Sequence, residues 1–134
     1  MKKSTVCLTG ATGHVGYAIL KELQNYPEKE VRILLRKDPG YFDDLTCTKV
    51  KGDITEYESL LEAFRDCDIV YHVAGCVEIK PGNEDFAYAC CDKIVDTLLA
   101  YGVQDRTWIN SFDGRLLERV YRRCGKLFHY HGFY

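Results

Sequence analysis

Apolar and polar positions fall along this chain in blocks of two kinds. The first kind is short, β-branched and almost continuous: "STVCLT" at 4–9, "VRILLR" at 31–36 and "CDIVYHVAG" at 67–75. Runs of that length bounded by turn residues predict buried strands. The last of them has the unbroken apolar character of a strand in a parallel sheet. The second kind repeats with helical spacing. Val15, Ala18, Ile19, Leu20 and Leu23 predict a helix from Gly13 to about Asn25, and Leu60, Leu61 and Phe64 predict a second. Thr55 is placed to cap that second helix, with Glu58 as its capping-box partner. "TKVKGD" predicts a short third strand. A helix is expected over Phe86–Ala100 with Gly102 as its terminator. "RTWINSF", 106–112, reads as a fifth strand.

Strands and helices therefore alternate to about residue 112. That order predicts an α/β protein with a Rossmann-like, doubly wound parallel sheet of about five strands. Residues 1–112 form the expected domain. Residues 113–134 make an atypical C-terminal tail, not a separate domain. The tail starts as a basic helix, read as a solvated face, and ends in aromatic residues with no clear period.

Composition narrows the function classes. The chain has 134 residues, 46% hydrophobic and 28% charged, which suits one globular core. A formal net charge of −2 gives no ground for nucleic acid or an anionic membrane as partner. No apolar run approaches the ~20 residues of a membrane span. The apolar part of "MKKSTVCLTG" is too short for a secretion signal and reads as a strand, so a cytoplasmic protein is expected. The cysteines number 7, with no Cys-x-x-Cys pair, so reduced and mostly buried thiols are expected and no metal site. His129 and His131 share a face if their segment is a strand, but nothing nearby completes a ligand set.

The candidate chemistry lies in "LTGATGHVGYAILKEL", 8–23. Gly10, Gly13 and Gly16 stand between a predicted strand and a predicted helix. In that setting the first glycine permits a sharp turn, the second lets a pyrophosphate reach the backbone, and the third lets the helix pack closely on the sheet. The helix N-terminus then offers free N–H groups and a positive dipole end. Thr12 and His14 can add side-chain donors, and Val15 opens the helix beside them. A turn of purely structural use is the competing reading.

About 20 residues past the last glycine, a dinucleotide fold meets the adenosine ribose. An acidic residue there favours NAD, and a basic one accommodates the 2′-phosphate of NADP. This chain has Arg36 and Lys37, so NADP is expected ahead of NAD. Asp53 and Ile54 follow the third strand, where they would flank an adenine. Val73, Ala74 and Gly75 end the fourth, where small residues leave room for a ribose. Taken singly these are an exposed strand end, a helix-entry turn and core packing. Their joint order favours a cofactor site. His72 reads as a satisfied strand-end histidine, not a base.

With "TGATGHVG", "LLRKDP", "KGDITEYESL" and "DIVYHVAG" in this order, the chain resembles the extended short-chain dehydrogenase/reductase family. Within it, the NAD-dependent epimerase/dehydratase group and its dihydroflavonol-reductase-like members are most similar. The likeness covers residues 4 to about 80 and thins beyond. It implies a dinucleotide partner, a small-molecule substrate, and hydride transfer at a carbonyl or alcohol carbon.

The departures concern catalysis. The family's Asn-x-x-Gly-Thr positions hold Ala87, Cys90 and Cys91, and Ser111 corresponds only loosely to its serine-rich strand end. Its Tyr-x-x-x-Lys pair has no counterpart after residue 112. Tyr17 and Lys21 have that spacing but sit on the first helix, beside the phosphate turn. No catalytic residue is therefore expected. The chain reads as a truncated cofactor-binding half with a tail compatible with out-of-frame translation. A non-catalytic dinucleotide sensor, an interaction module that associates with itself, and a non-functional fragment are the alternatives.

Overall fold

The structure, a computed structural model, describes residues 3–73, 84–111 and 114–132. The chain divides into two compact units, residues 1–77 and 78–134.

The first unit is a four-stranded parallel sheet with a helix on each face. Its strands are β1 (Ser4–Thr9), β2 (Lys29–Leu35), β3 (Thr48–Lys51) and β4 (Ile69–His72), in the spatial order β3-β2-β1-β4. The register runs Val6 beside Val31 and Ile69, and Leu8 beside Ile33 and Tyr71. β1 is paired on both sides, which is why Val6, Cys7, Leu8 and Thr9 lose all exposure. Alternation then sorts its side chains. Val6 and Leu8 join Val31, Ile33 and Leu35 on the face covered by Leu20 and Leu23 of α1 (His14–Leu23) and by Phe42. Cys7, Arg32 and Leu34 take the other face, under α2 (Tyr57–Phe64). Leu60, Ala63 and Phe64 of α2 are buried.

Two local expectations change. Val15 and Ala18 supply helical spacing but lie exposed, because Gly16, Leu20 and Leu23 face the sheet. Thr55 does not cap α2. Its N–H and hydroxyl both donate to Asp53 Oδ1, at 2.9 and 2.8 Å, in an Asx turn. The helix consequently starts at Tyr57, with Glu56 at its N-cap.

The second unit contains α3 (Glu84–Tyr101), a 3-10 turn at Gln104–Arg106, β5 (Trp108–Ser111), α4 (Gly114–Cys124) and β6 (His129–Gly132). Gly102, at φ +65°, ends α3, as its position in the sequence predicts. The fifth strand forms, but it pairs in parallel with β6 and not with the four-stranded sheet. The described residues of the tail are thus a helix, a 3-10 turn at Gly125–Leu127 and a strand. Val95, Val120, Cys124 and Phe128 make this unit's core. Arg119 is bidentate to Asp92 at 2.9 and 2.8 Å, and Arg123 pairs with Asp96. Two arginines of the basic helix are therefore matched to an acidic edge of α3. Among the described residues no helix is long and apolar enough to cross a membrane.

Candidate functional site

A parallel sheet sends the carboxyl ends of all its strands to one edge. Here that edge gathers, in spatial order, Asp53 and Ile54 beyond β3, Arg36 and Lys37 beyond β2, the glycine turn beyond β1, and Val73 beyond β4. The chain runs outward from β1 through β2 to β3, then crosses to place β4 on the other side of β1. The glycine turn therefore sits at the switch point of the sheet. Ala74 and Gly75 lie outside the described residues.

The three glycines have three different causes. Gly10 adopts φ +76°, a left-handed backbone that L side chains resist. A Cβ on Gly16 would meet the Gly10 carbonyl oxygen at 1.9 Å, so the helix can cross the turn only with a glycine there. Gly13 has neither constraint. Its backbone is extended, at φ −85° and ψ 170°, and a Cβ would touch only Gly10 O, at an ordinary 3.4 Å. The fold accepts a side chain at 13, and the chain has none. What the missing side chain leaves bare is the end of α1.

That end is uncapped. Gly13 makes no side-chain bond, and the first turn holds no acidic residue. Tyr17 N–H is the first to reach an intrahelical carbonyl, that of Gly13 at 2.9 Å. The N–H groups of His14, Val15 and Gly16 precede it and have no carbonyl within the helix. Thr12, His14 and Val15 are exposed around them. A dinucleotide pyrophosphate fits such a place, which presents backbone donors, a positive dipole end and no side chain in the way.

The basic end of β2 is a separate feature. Leu35, Arg36, Lys37 and Asp38 line an open pocket of about 310 Å³ with Lys49, Val50 and Lys51 of β3. Lys49 is tied to Asp38 at 2.9 Å and Asp43 at 2.7 Å. These contacts push its ammonium pKa up, and the Lys49 bond holds the Asp38 carboxyl below its usual range. Arg36, Lys37 and Lys51 form no ion pair among the described residues, and they line the pocket together with Asp38. The two lysines of β3 were missed from sequence. Their alternation in "TKVK" is the signal that puts both on one side of the strand.

Asp53 spends Oδ1 on Thr55, while Oδ2 makes no hydrogen bond among the described residues. The Thr55 N–H, then its hydroxyl, and finally the Arg36 charge hold its carboxyl below the usual range. Asp53 is therefore the helix-entry turn and still keeps one free acceptor at the edge. His72 is satisfied, as expected. Its Nδ1 lies 2.8 Å from Thr9 Oγ1, and its ring meets Phe64 edge-on at 6.3 Å. Burial pushes the imidazole pKa down to about 4.

The model of the NAD(P)H-binding family matches residues 10–122. The chain belongs to that family. The match extends well past residue 80, into α4, farther than the motifs alone reach. Sterol demethylase protein B of Methylococcus capsulatus is 33% identical over 81 residues, which are 59% of this chain and 24% of that protein. An uncharacterized membrane protein of Methanocaldococcus jannaschii is 30% identical over 79 residues, 54% of this chain and 24% of its own length. The chain thus matches about a quarter of these curated relatives. A Rossmann-fold NAD(P)-binding family protein from Shigella flexneri superposes with a TM-score of 0.71 at 15% identity, over 96% of this chain and 65% of that one. Vestitone reductase from alfalfa gives 0.57 at 23% identity, over 72% and 32%. A uronate dehydrogenase variant from Agrobacterium tumefaciens, complexed with NAD, gives 0.61 at 19%, over 81% and 40%. These likenesses show the Rossmann-like fold, as the NAD(P)H-binding membership requires.

Proposed function

We propose that residues 1–112 bind NADP along the carboxyl edge of the parallel sheet. The pyrophosphate lies on Gly10–Gly16, taking hydrogen bonds from the N–H groups that open α1 and from Thr12 and His14, with Val15 beside them. Arg36 and Lys37 hold the 2′-phosphate. Asp53 accepts from the adenine amine, Ile54 packs on its ring, and Val73, Ala74 and Gly75 leave room for a ribose. The observation that carries this reading is Gly13, a glycine the fold does not need at the place where a phosphate would require one. Arg36 and Lys37, which line the pocket at the end of β2, favour NADP over NAD.

The activity proposed for the whole protein is hydride transfer at a carbonyl or alcohol carbon of a small molecule in the cytoplasm. The nicotinamide supplies the hydride when bound. The residues seen here bind and orient it. No Tyr-x-x-x-Lys pair follows residue 112, so we assign no catalytic residue within this sequence.

Thermal melting with NADPH, with NADH and without ligand tests the proposal. Ligand at a hundred times its Kd stabilises by about 2.7 kcal/mol. The larger shift is expected with NADPH. No shift with either removes the binding site, and a larger shift with NADH removes the role given to Arg36.

A further inference from the structure

The pocket beside β2 has an acid among its cations. Arg36, Lys37, Lys49 and Lys51 line it, and so does Asp38. Asp38 stands just past Arg36 and Lys37, at the strand end where a carboxylate favours the unphosphorylated ribose of NAD and repels a 2′-phosphate. An acid there works against the preference that Arg36 and Lys37 support, unless its charge is taken up.

Lys49 takes it up. Its Nζ donates to Asp38 Oδ2 at 2.9 Å. The other carboxylate oxygen, Oδ1, accepts from Gly40 N–H at 2.9 Å, and Gly40 closes that turn with φ +83°. Both oxygens of Asp38 are therefore engaged within its own loop and by β3. Lys49 also reaches Asp43 Oδ1 at 2.7 Å, so one ammonium holds two carboxylates of the β2–β3 loop.

The loop does not need this lysine to stay in place. Phe42 is buried in the core of the first unit, against Val6, Leu20 and Ile33 among others. Thr46 N–H donates to Gln24 Oε1 at 2.8 Å, and Gln24 Nε2 donates back to Thr46 O at 3.3 Å. What Lys49 adds is charge at one acid. Lys51, two residues on along β3 and the register neighbour of Leu35, forms no ion pair among the described residues.

We propose that Lys49 is a positioning residue for cofactor choice: it clamps Asp38 and so leaves Arg36, Lys37 and Lys51 to meet the 2′-phosphate of NADP. The inference rests on the NADP reading above. With the clamp removed, the Asp38 carboxylate repels a phosphate dianion and accepts from a 2′-hydroxyl, which turns the same pocket toward NAD.

Titration calorimetry of the full chain with NADPH and NADH tests it. The parent is expected to prefer NADPH. Lys49→Met keeps the aliphatic stem and removes the charge, and the NADPH-to-NADH affinity ratio should fall about tenfold. Lys49→Gln should give the same fall, and Lys49→Arg should keep the parent ratio. Asp38→Asn retains an acceptor for Gly40 N–H without the charge. Added to Lys49→Met, it should restore the ratio, with circular dichroism unchanged throughout. A double variant as low as the single one overturns the clamp, because Lys49 would then be attracting the phosphate directly or only bracing the loop. A parent that prefers NADPH, with Lys49→Met and Lys49→Gln ratios equal to its own, overturns the clamp and leaves the cofactor reading standing. A parent that binds neither dinucleotide, or NADH as well as NADPH, overturns both.

Discussion

The α-carbon of Gly16 faces the carbonyl oxygen of Gly10 so closely that a Cβ would sit 1.9 Å from it. Both atoms are backbone, and neither can move without parting α1 from β1. Gly16→Ala is therefore expected to cost about 3 kcal/mol or more, read as a fall in the urea midpoint. Gly13→Asp should behave in the opposite way. The extended backbone at 13 suits an N-cap, and an aspartate there can accept from the bare N–H groups of α1. The variant should melt at or slightly above the parent and lose its NADPH shift. A Gly13→Asp protein that keeps that shift would show the turn to be structural only.

Arg36 sets the choice of dinucleotide in the proposed site. Arg36→Asp puts a carboxylate where the 2′-phosphate would bind, with Asp38 and Asp53 already nearby. NADPH affinity should fall by about tenfold or more, equivalent to about 1.4 kcal/mol, while NADH affinity holds or rises. Titration calorimetry with both cofactors reads the ratio. An unchanged ratio would remove Arg36 from the site.

His72 makes stability depend on pH. Its native pKa of about 4 lies below the ordinary histidine value near 6.5. Between those values the unfolded chain takes up a proton that the buried imidazole refuses. The stabilisation is complete above the unfolded value and is lost as pH falls toward the native one, with a slope approaching about 1.4 kcal/mol per pH unit. His72→Gln should lack this component. Parallel slopes for the two proteins across that window would contradict the burial of the ring.

Arg32 closes the end of α2 from below. Its guanidinium satisfies the carbonyls of Ala63 and Arg65, which have no partner within the helix. Arg32→Met keeps the aliphatic stem and removes those bonds. A loss of about 1–3 kcal/mol in urea unfolding is expected. Hydrogen exchange should quicken in 57–64 before it does in α1.

The sheet and the glycine turn were legible because their signals are local. A β-branched run bounded by turn residues needs only its own residues to be read, and so β1 and β2 were found near their observed bounds and β4 lies inside the longer run at 67–75. The start of α2 was misplaced because Asp53 competed for Thr55, and an Asx turn and an N-cap use the same side chains. Periodicity gave α1 its place, and the glycine motif, not the hydrophobic pattern, marked Gly16 as the point where it packs on the sheet. The partner of β5 was not legible, since pairing is a property of two segments and β6 lies in the aperiodic tail. The hold of Arg32 on the end of α2 was hidden for the same reason: no spacing in the chain foretells that its guanidinium reaches the carbonyls of Ala63 and Arg65.

Gly13 and Gly16 look alike in the sequence, but under the proposed function they answer to different selection. A copy of this gene that ceased to bind its ligand would still have to fold, so position 16 would stay frozen. Position 13 would be released, and drift there would run toward Asp, Ser or Asn, which make better helix caps than glycine. Among descendants of this chain, the residue at 13 would then date the loss of the ligand, while the residue at 16 would report only that the protein still folds.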